Sequence, residues 1–427
     1  MHYISTRNKN KLYSLSEALQ KGLAEDGGLF IPEYFPKVNL TDYNSQMSYI
    51  DFAEKLLQNF FKNDILEKNL REICANAFIF PVKIETIDSN TQMLDLCQGP
   101  TLSFKDFGAR FLAECLNKIS HKNKSTIMVA TSGDTGSAVA SAFYKKENTQ
   151  VIVLYPKGKI SEKQEKQITC WGKNILSLAV LGTFDDCQRL VKQAFNENWW
   201  QNVMNISSAN SINIGRLLPQ MIYYAYSSFA YFNKNKTSVG FIIPTGNLGN
   251  ATAAYWAKEM GFPIREISLA TNENRVINDY IESGVFSPRK SVLTLANAMD
   301  VGNPSNFERL SQLFQDYSIF KKNVSSISVS NVEIKQTIGN FYNNYKRIIC
   351  PHTATGFFVR KNKSAHSWIV VSTADPCKFD DIIEPIIQEK IPIPEQMQNL
   401  LNRESMHWEV KAELSDIEKI AAKYFNI

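Results

Sequence analysis

The stretch STIMVATSGDTGSAVASAFYKK, residues 125–146, decides the fold class because it joins three local patterns in a fixed order. The β-branched and apolar run at 125–130 predicts a buried strand. The glycine-containing polar run at 131–136 predicts a loop, and 137–146 predicts a helix.

The same order of strand, loop and helix occurs twice more along the chain. VGFIIP, TGNLGN and ATAAYWAKEM follow one another over 239–260, and SWIVV and STADP occupy 367–376 before a helix predicted from Lys378. Strands that alternate with helices indicate an α/β fold with largely parallel, twisted sheets and flanking helices. Because ligands of such sheets bind outside the carboxyl ends of the strands, we expect the three loops to share one site.

The chain of 427 residues is long enough for more than one lobe. Residues 1–88 predict a small, mostly helical N-terminal lobe with a turn at EDGGLFIPEYFP, residues 25–36. The polar stretch YFNKNKTS at 231–238 separates an aromatic helix from the second strand–loop unit. We therefore expect a first α/β half at 89–236 and a second at 237–427.

Composition and charge exclude several functional classes. The net charge is +5, and no run of five or six like charges predicts a nucleic-acid partner. No apolar run reaches the ~18 residues of a membrane span, and the N-terminus lacks the apolar region of a secretory signal. The 7 cysteines never form CxxC, which argues against a zinc site and a disulfide framework and favours a cytoplasmic location. With 5 histidines and no HExxH, GxSxG or Walker motif, no metal is expected.

A lysine stands at an unusual place in QGPTLSFKDFGARF, residues 98–111. Apolar residues recur at helical spacing from Phe104 onward, and Ser103 with Asp106 predicts a capping box at the helix start. Lys105 then falls in the first helical turn, where the helix dipole disfavours a cation.

The surroundings of Lys105 favour its neutral form. Phe104 and Phe107 flank it, and both burial and the helix N-terminus lower the pKa of an amine. A neutral lysine amine is what Schiff-base chemistry requires. The alternative is a surface lysine with its amine in solvent.

Two of the predicted loops are suited to anions. In TGNLGN, Gly246 and Gly249 allow close backbone approach, no acidic residue intervenes, and the N–H groups of the following helix would face a phosphate. The alternative is a turn that needs glycine for geometry alone. In TSGDTG, Asp134 argues against a phosphate and permits a substrate carboxylate, or it caps the following helix. A Schiff-base lysine, a phosphate cradle and a carboxylate site together suggest pyridoxal phosphate.

The STADP segment bears on the reaction type. A hydroxyl from Ser372 or Thr373 at the pyridine nitrogen would stabilise a pyridinium less than an aspartate would, which favours elimination or replacement over transamination. Asp375 stands nearby, but the following Pro376 predicts that it turns away from the strand end. The alternative is a polar turn between strand and helix.

These motifs resemble the threonine synthase family, in the bacterial and fungal subgroup of fold-type II pyridoxal-phosphate enzymes, which share a tryptophan synthase β-like architecture. The resemblance covers nearly the whole chain, and its motifs occur in the family's order. They are GPTLSFKDFGARF (99–111), ATSGDTGSAVASAF (130–143), YPKGKISEKQEKQ (155–167), ISSANSINIGRLLPQ (206–220), LANAMDVGNPSN (295–306), PHTATG (351–356) and STADPCKF (372–379).

The resemblance implies pyridoxal 5'-phosphate as cofactor, Lys105 as the catalytic Schiff-base lysine, and conversion of O-phospho-L-homoserine and water to L-threonine and phosphate. It implies a phosphate cradle at Gly246, Asn247, Leu248, Gly249 and Asn250, with Thr373 near the pyridine nitrogen and Asp134 at the cofactor. It also implies substrate contacts from Ser132, Thr135, Asn210, Ser211, Asn213 and Arg216. For Arg216 the guanidinium fork matches a phosphate dianion, and the alternative is a surface arginine.

The chain departs from the family at three positions. Leu248 and Asn250 replace an aromatic residue and an aspartate, and the loss of that carboxylate favours a bound phosphate. Asp375 replaces a usual histidine, which bears on substrate positioning or rate and not on Lys105. The alternatives are a related phospholyase, a serine/threonine dehydratase, or a non-catalytic relative. For the enzyme we expect a small-molecule substrate, no nucleic-acid or membrane partner, and a monomer or homodimer.

Overall fold

The computed structural model describes residues 1–119 and 124–427, and the strands of these residues form three sheets. The smallest is an antiparallel pair near the N-terminus, formed by β1 (Tyr3–Ser5) and β2 (Phe30–Pro32). The other two sheets build the body of the molecule.

A five-stranded sheet is parallel throughout and has the order β13-β7-β6-β5-β8. Its strands are β5 (Ser125–Ala130), β6 (Thr149–Pro156), β7 (Ile175–Leu181), β8 (Ile206–Ser208) and β13 (Trp408–Lys411).

A six-stranded sheet has the order β11-β10-β9-β12-β4-β3 and is parallel except for the hairpin of its first two strands in the sequence. Its strands are β3 (Lys83–Asp88), β4 (Thr91–Asp95), β9 (Val239–Pro244), β10 (Ile264–Thr271), β11 (Ser325–Ser328) and β12 (Trp368–Ser372).

Helices cover these sheets and form the N-terminal region. They are α1 (Leu15–Lys21), α2 (Tyr49–Phe61), α3 (Leu70–Ala77), α4 (Lys105–Lys118), α5 (Asp134–Phe143), α6 (Glu162–Thr169), α7 (Phe184–Ala194), α8 (Asn198–Asn202), α9 (Leu218–Asn235), α10 (Gly249–Glu259), α11 (Val276–Ser283), α12 (Phe307–Phe314), α13 (Tyr317–Asn323), α14 (Asn331–Tyr345), α15 (Pro351–Lys361), α16 (Asp380–Ile387), α17 (Glu395–Leu401) and α18 (Leu414–Phe425). Short 3-10 turns lie at Leu40–Asp42, Glu67–Asn69, Ile214–Arg216, Asn297–Met299 and Pro376–Phe379.

The central strands are buried on both faces, as parallel strands between helical layers are. Every residue of β5, β9 and β12 is buried. The largest cluster of buried apolar side chains joins α2, α4, α9 and α10, and Phe107 of α4 contacts both Phe80 and Tyr223 edge to face. This packing fixes the start of α4, where Lys105 lies.

The predicted fold class, α/β with largely parallel sheets and flanking helices, is confirmed. The strands predicted at 125–130 and 239–244 match β5 and β9 residue for residue, and β12 is displaced by one residue. Two helices begin earlier than predicted, at Asp134 and at Gly249, because the glycine loops form their first turns. Lys378 lies in a 3-10 turn, and the helix beyond it begins at Asp380.

The division into 1–88, 89–236 and 237–427 stays a prediction. Strand pairing crosses its boundaries, since β3 of the first segment pairs with β4 of the second, and β4 pairs with β12 of the third. The last segment also contributes β13 to the five-stranded sheet. Crossover connections let parallel sheets take strands from distant parts of a chain.

None of the helices within residues 1–119 and 124–427 is long and apolar enough to span a bilayer. All seven cysteines are buried free thiols.

Candidate active site

A cavity of about 120 Å³ lies where the carboxyl ends of β5, β9 and β12 meet. The loops that follow these strands all line it, as predicted from the repeated strand–loop–helix order. The predicted site residues that line it are Lys105, Ser132, Asp134, Thr135, Asn210, Ser211, Arg216, Gly246, Asn247, Leu248, Gly249, Asn250 and Thr373. Asn213 is the predicted contact that the structure does not place there.

The helix α4 begins at Lys105, but not through the predicted capping box. Asp106 instead accepts hydrogen bonds from the Thr101 backbone N–H at 2.9 Å and from the Thr101 hydroxyl at 2.7 Å. The Ser103 hydroxyl has no hydrogen-bond partner among the described residues. Gly99 is needed because a Cβ there would lie 2.4 Å from the Asp106 carboxylate. Asp106 therefore locks the turn that precedes the helix, and the capping-box prediction is wrong.

The amine of Lys105 lies inside the cavity wall, with 12% of its side chain exposed. Burial lowers the pKa of Lys105 to about 8, and the Lys378 and Arg216 cations act in the same direction while Asp134 opposes them. About a tenth of the amine is thus uncharged at pH 7, far more than for an ordinary lysine, and the neutral amine is the form that nucleophilic lysine chemistry needs. The surface-lysine alternative is wrong.

Asp134 is held by groups that the sequence analysis did not assign. Its Oδ1 accepts hydrogen bonds from Lys378 Nζ at 2.8 Å and from Gln164 Nε2 at 3.0 Å, and its Oδ2 lies 3.9 Å from Lys105 Nζ. Burial alone would raise the pKa of Asp134, but the Lys378 and Lys105 ammonium groups hold it well below its ordinary value. Its side chain makes no capping bond to α5, so the helix-cap alternative is wrong.

Lys378 was missed by the sequence analysis although it stands inside the STADPCKF motif. Its side chain is 0% exposed, and its Nζ also donates a hydrogen bond to the Thr101 carbonyl at 2.7 Å. The signal was present as a lysine two residues beyond a proline, but nothing local predicts that such a lysine is buried.

The loop between β9 and α10 forms an anion cradle. Leu248 has a φ of +62° and precedes the first turn of α10, whose leading N–H groups have no acceptor within the helix. These N–H groups and the helix dipole favour a phosphate. The alternative explanation, that the turn needs glycine for its geometry, also holds at Gly246, because a Cβ there would lie 2.6 Å from the Met299 Cα.

Asn250 adds a polar group to the cradle. Its Oδ1 accepts hydrogen bonds from the Tyr223 and Tyr224 hydroxyls, each at 2.7 Å. Its Nδ2 is buried and finds no partner in the described part of the chain. A buried amide donor without an acceptor is costly unless a ligand supplies one.

Arg216 also lines the cavity and is buried, with 3% of the residue exposed. It donates a hydrogen bond to the Ala209 carbonyl, and its Nε has no partner within 1–119 and 124–427. Burial lowers the pKa of Arg216 to about 10, which still leaves it protonated at neutral pH. The surface-arginine alternative is wrong, and the guanidinium is suited to an anion.

Asn213 supports the turn that carries Arg216 and does not face the cavity. Its Nδ2 donates hydrogen bonds to the Leu19 and Ser208 carbonyls at 2.9 Å, and its Oδ1 accepts one from the Gly215 N–H at 2.9 Å. Because both N–H groups of the amide are used and the residue is 0% exposed, the predicted substrate contact from Asn213 is corrected to a structural role.

Asn306 and Arg309 connect the cradle to the segment 211–212, and they too were missed. Ser211 Oγ accepts hydrogen bonds from Asn247 Nδ2 at 2.7 Å and from Asn306 Nδ2 at 3.1 Å. Arg309, which is 1% exposed, donates to the Ser211 carbonyl at 2.9 Å. Asn306 ends the LANAMDVGNPSN motif, whereas Arg309 lies on a helix without any local signal.

His352, within the PHTATG motif, also lines the cavity and was not assigned. Its Nε2 accepts a hydrogen bond from the Ala298 N–H at 3.0 Å, which places the proton of the neutral ring on Nδ1. Burial lowers the pKa of His352 to about 4, so the ring is neutral near pH 7. His352 thus links α15 to the 3-10 turn at Asn297–Met299.

In the STADP segment, Thr373 lies at the cavity and Asp375 does not. Thr373 lines the cavity and is 4% exposed. Asp375 accepts a hydrogen bond from the Cys377 N–H at 2.8 Å and is not among the lining residues. The expectation that Asp375 turns away is confirmed, so its replacement of the family's usual histidine lies outside the cavity wall.

Comparison with known proteins decides the family. Residues 93–368 match the profile described as pyridoxal-phosphate dependent enzyme, 2–78 match threonine synthase N terminus, and 352–421 match threonine synthase, C-terminal. Threonine synthase of Haemophilus influenzae is 38% identical over 93% of this chain and 94% of its own. The chain belongs to the threonine synthase family.

Solved structures agree with this assignment. The crystal structure of threonine synthase from Escherichia coli is 34% identical, covers 99% of this chain and 100% of its own, and superposes with a TM-score of 0.93. The pyridoxal-phosphate-bound threonine synthase from Brucella melitensis is 30% identical, covers 99% of both chains, and superposes with a TM-score of 0.91. A tomato threonine deaminase, 13% identical with a TM-score of 0.56, shows a shared fold alone.

Membership of the threonine synthase family confirms the fold-type II architecture, the cofactor and the class of enzyme. The chain is a pyridoxal-phosphate-dependent lyase that acts on a small molecule. Its residues fit the cofactor, since a buried amine with a lowered pKa and an N–H cradle with an unpaired Asn250 amide line one cavity. Within the described ranges, no group of three or more His, Cys, Asp or Glu side chains is placed to hold a metal ion.

Proposed function

We propose that this chain converts O-phospho-L-homoserine and water to L-threonine and phosphate, with Lys105 as the catalytic lysine. The observation that carries the proposal is a single cavity lined by two anion-binding groups and a partly neutral lysine. One site is the α10 cradle, and the other is the buried guanidinium of Arg216. A phosphorylated cofactor and a phosphorylated substrate together require two such sites.

The cofactor would be held by this chain at two ends. Lys105 Nζ would carry it covalently, and the N–H groups from Gly246 to Asn250 would bind its phosphate. When bound, pyridoxal phosphate would supply the electron sink that makes the proton on the substrate's α-carbon acidic, and afterwards a proton on the neighbouring β-carbon. A hydroxyl of Thr373 at its pyridine nitrogen would stabilise a positive charge there only weakly, which suits elimination.

Lys105 would move the protons of the reaction. Its pKa of about 8 lets the released amine accept a proton from the substrate at neutral pH and return it later. Asp134 would stay ionised throughout, because the two lysines hold its pKa well below the ordinary value. It would therefore act as a fixed charge and not as a proton carrier.

The substrate's two anionic ends would bind on different sides of Lys105. Arg216, with Asn210 and Ser211 beside it, would hold the phosphate that leaves the γ-carbon. Ser132, in the loop before α5, and Thr135, in the first turn of α5, would bind the carboxylate through hydroxyl and N–H groups. Phosphate held by Arg216 after its release would remain close enough to assist the addition of water.

The direct test incubates purified protein and pyridoxal phosphate with O-phospho-L-homoserine and measures phosphate and threonine in the same reaction. We expect the two products in equal amounts. Lys105→Ala should abolish turnover and the borohydride-trappable visible absorbance of the bound cofactor. Arg216→Lys, which keeps the charge and loses the fork, should retain the absorbance and raise the KM for substrate.

Different outcomes would identify the alternatives. A 2-oxo acid in place of threonine would show a phospholyase or dehydratase and contradict the proposal. Cofactor binding without turnover of any phosphorylated amino acid would show a non-catalytic relative. Persistence of the trappable absorbance in Lys105→Ala would contradict the lysine assignment.

Two further predictions accompany this function. A cytoplasmic location is supported by the seven free thiols, and thiol titration of freshly isolated protein tests it. A monomer or homodimer is expected, and light scattering coupled to size exclusion distinguishes these two states from larger assemblies.

A further inference from the structure

We propose that Lys378 is a positioning residue for the reaction: its ammonium group holds the Asp134 carboxylate and thereby prevents Asp134 from forming a hydrogen-bonded ion pair with Lys105. The proposal rests on the proposed role of Lys105 and is independent of the identity of the substrate. It assigns a function to a buried cation that neither the cofactor cradle nor the substrate contacts use.

Lys378 is a fully buried cation, and burial of a charge is unfavourable unless another group compensates for it. It lies in the 3-10 turn after β12, is 0% exposed, and has the Thr101 carbonyl and Asp134 as hydrogen-bond partners. Fully buried lysines are rare because the ammonium loses its hydration unless a charge compensates for it. Asp134 is the compensating charge.

The two lysines compete for one carboxylate. Lys378 Nζ lies 2.8 Å from Asp134 Oδ1, within hydrogen-bond distance, whereas Lys105 Nζ lies 3.9 Å from Oδ2, beyond it. Gln164 also donates to Oδ1, at 3.0 Å, so both donors hold the carboxylate on the side away from Lys105. Without Lys378, the nearest cation available to Asp134 would be a protonated Lys105.

The charges that face Lys105 come from several elements. Asp134 at the start of α5 is the anion; Lys378 and Arg216 are the cations; His352 of α15 is neutral near pH 7. Asp106, on the same helix as Lys105, is turned to Thr101. Removal of the Lys378 charge leaves the attraction of Asp134 less opposed, which favours the protonated form of Lys105.

A purely structural role is the competing explanation, since the Lys378–Asp134 pair joins elements that follow different sheets. A second ion pair provides the matched control. Lys163 of α6 lies 2.6 Å from Asp380 of α16, so it also joins elements of the two sheets, and neither residue lines the cavity. Lys163→Met removes this connection without changing the charge beside Lys105.

The experiment measures the Lys105 amine directly in the full-length chain after its cofactor is removed. Trace acetylation with acetic anhydride at pH 6 to 11, followed by mass spectrometry of the peptide, gives the midpoint of Lys105 titration. The rate at which added pyridoxal phosphate forms its visible imine with the chain gives the same midpoint independently. Neither measurement needs substrate, so failure of the proposed reaction would appear separately, as absence of threonine from the wild-type enzyme.

Each variant should shift the Lys105 titration midpoint in a defined direction or leave it unchanged. In Lys378→Met the midpoint of Lys105 titration should rise by on the order of one pH unit, because the cation that opposes the attraction between Asp134 and protonated Lys105 has been removed. In Asp134→Asn it should fall, since the attracting anion has been replaced by an isosteric neutral amide. In Lys163→Met it should remain at the wild-type value.

Three results would overturn the proposal. An unchanged midpoint in Lys378→Met shows that its charge does not act on Lys105, and an equal rise in Lys163→Met shows that loosening of the structure causes the effect. If Lys378→Met does not fold, Asp134→Asn decides the question, and a midpoint that stays or rises contradicts the proposal.

Discussion

Gly108 tests whether the buried guanidinium binds substrate. It lies inside α4, where glycine costs about 1 kcal/mol relative to alanine. A Cβ at this position would lie 2.8 Å from both Arg216 Nε and the Arg216 carbonyl oxygen. Relief of that overlap requires a displacement of about 0.6 Å, to reach ordinary van der Waals contact. Gly108→Ala is therefore a way to move Arg216 without removing it.

The size of the effect follows from this displacement. Misplacement of a binding group by about 1 Å can cost on the order of 100-fold in rate, so we expect kcat/KM to fall by roughly 10- to 50-fold. Most of the loss should appear in KM, because the phosphate is bound in the ground state as well. Overpacking costs about 1–3 kcal/mol, which cancels or exceeds the gain in helix propensity.

The assay is threonine formation from O-phospho-L-homoserine, with urea unfolding and the visible absorbance of the bound cofactor as parallel measurements. Gly339→Ala is the control, since this glycine also lies inside a helix but its nearest neighbour would be Ile386 Cγ2 at 3.4 Å. The control should gain about 0.5–1 kcal/mol of stability and keep full activity. A folded Gly108→Ala enzyme with wild-type KM and kcat would refute the role given to Arg216.

Three other perturbations have defined outcomes. Gly246→Ala should weaken cofactor binding at least about tenfold, because its Cβ would lie 2.6 Å from the Met299 Cα and displace the cradle. A cofactor titration followed by absorbance measures this, and unchanged affinity would contradict the packing argument. Asp375→His should keep kcat/KM within about twofold. It should lower the free energy of unfolding by about 0.5–2 kcal/mol through loss of the hydrogen bond from the Cys377 N–H, whereas Asp375→Asn should keep most of that stability. A large loss of activity in both variants would show that Asp375 takes part in the reaction. Since the pKa of Lys105 is about 8 in the folded chain and near 10.5 when unfolded, the cofactor-free protein should gain stability as pH rises between these values, and Lys105→Met should remove that slope in urea unfolding curves.

The strands and loops of the site were predictable from sequence because each depends on local patterns. The strands β5 and β9 are continuous apolar runs bounded by glycine loops, and parallel topology then brings those loops together. The early start of α10 at Gly249 was not predicted, since Leu248 adopts a left-handed conformation that sequence patterns do not assign to leucine.

The side-chain partners were harder to predict because they depend on contacts between distant residues. Ser103 and Asp106 have the spacing of a capping box, but the Asp106 carboxylate instead accepts hydrogen bonds from the Thr101 N–H and hydroxyl. Asn213 stands next to true lining residues, yet its turn directs the amide to backbone carbonyls. Lys378 could not be assigned at all, since its partner Asp134 lies 244 residues away.

The position of β12 has a consequence for synthesis of the chain on the ribosome. This strand lies between β9 and β4, so the earlier strands of the six-stranded sheet remain in two unconnected groups until residues 368–372 emerge. The residues directly after β12, Thr373 and Lys378, complete the surroundings of Lys105, which is translated long before them. A nascent chain therefore carries its reactive lysine without a finished pocket, and premature termination before β12 yields a polypeptide with exposed sheet edges and aggregation as its expected fate.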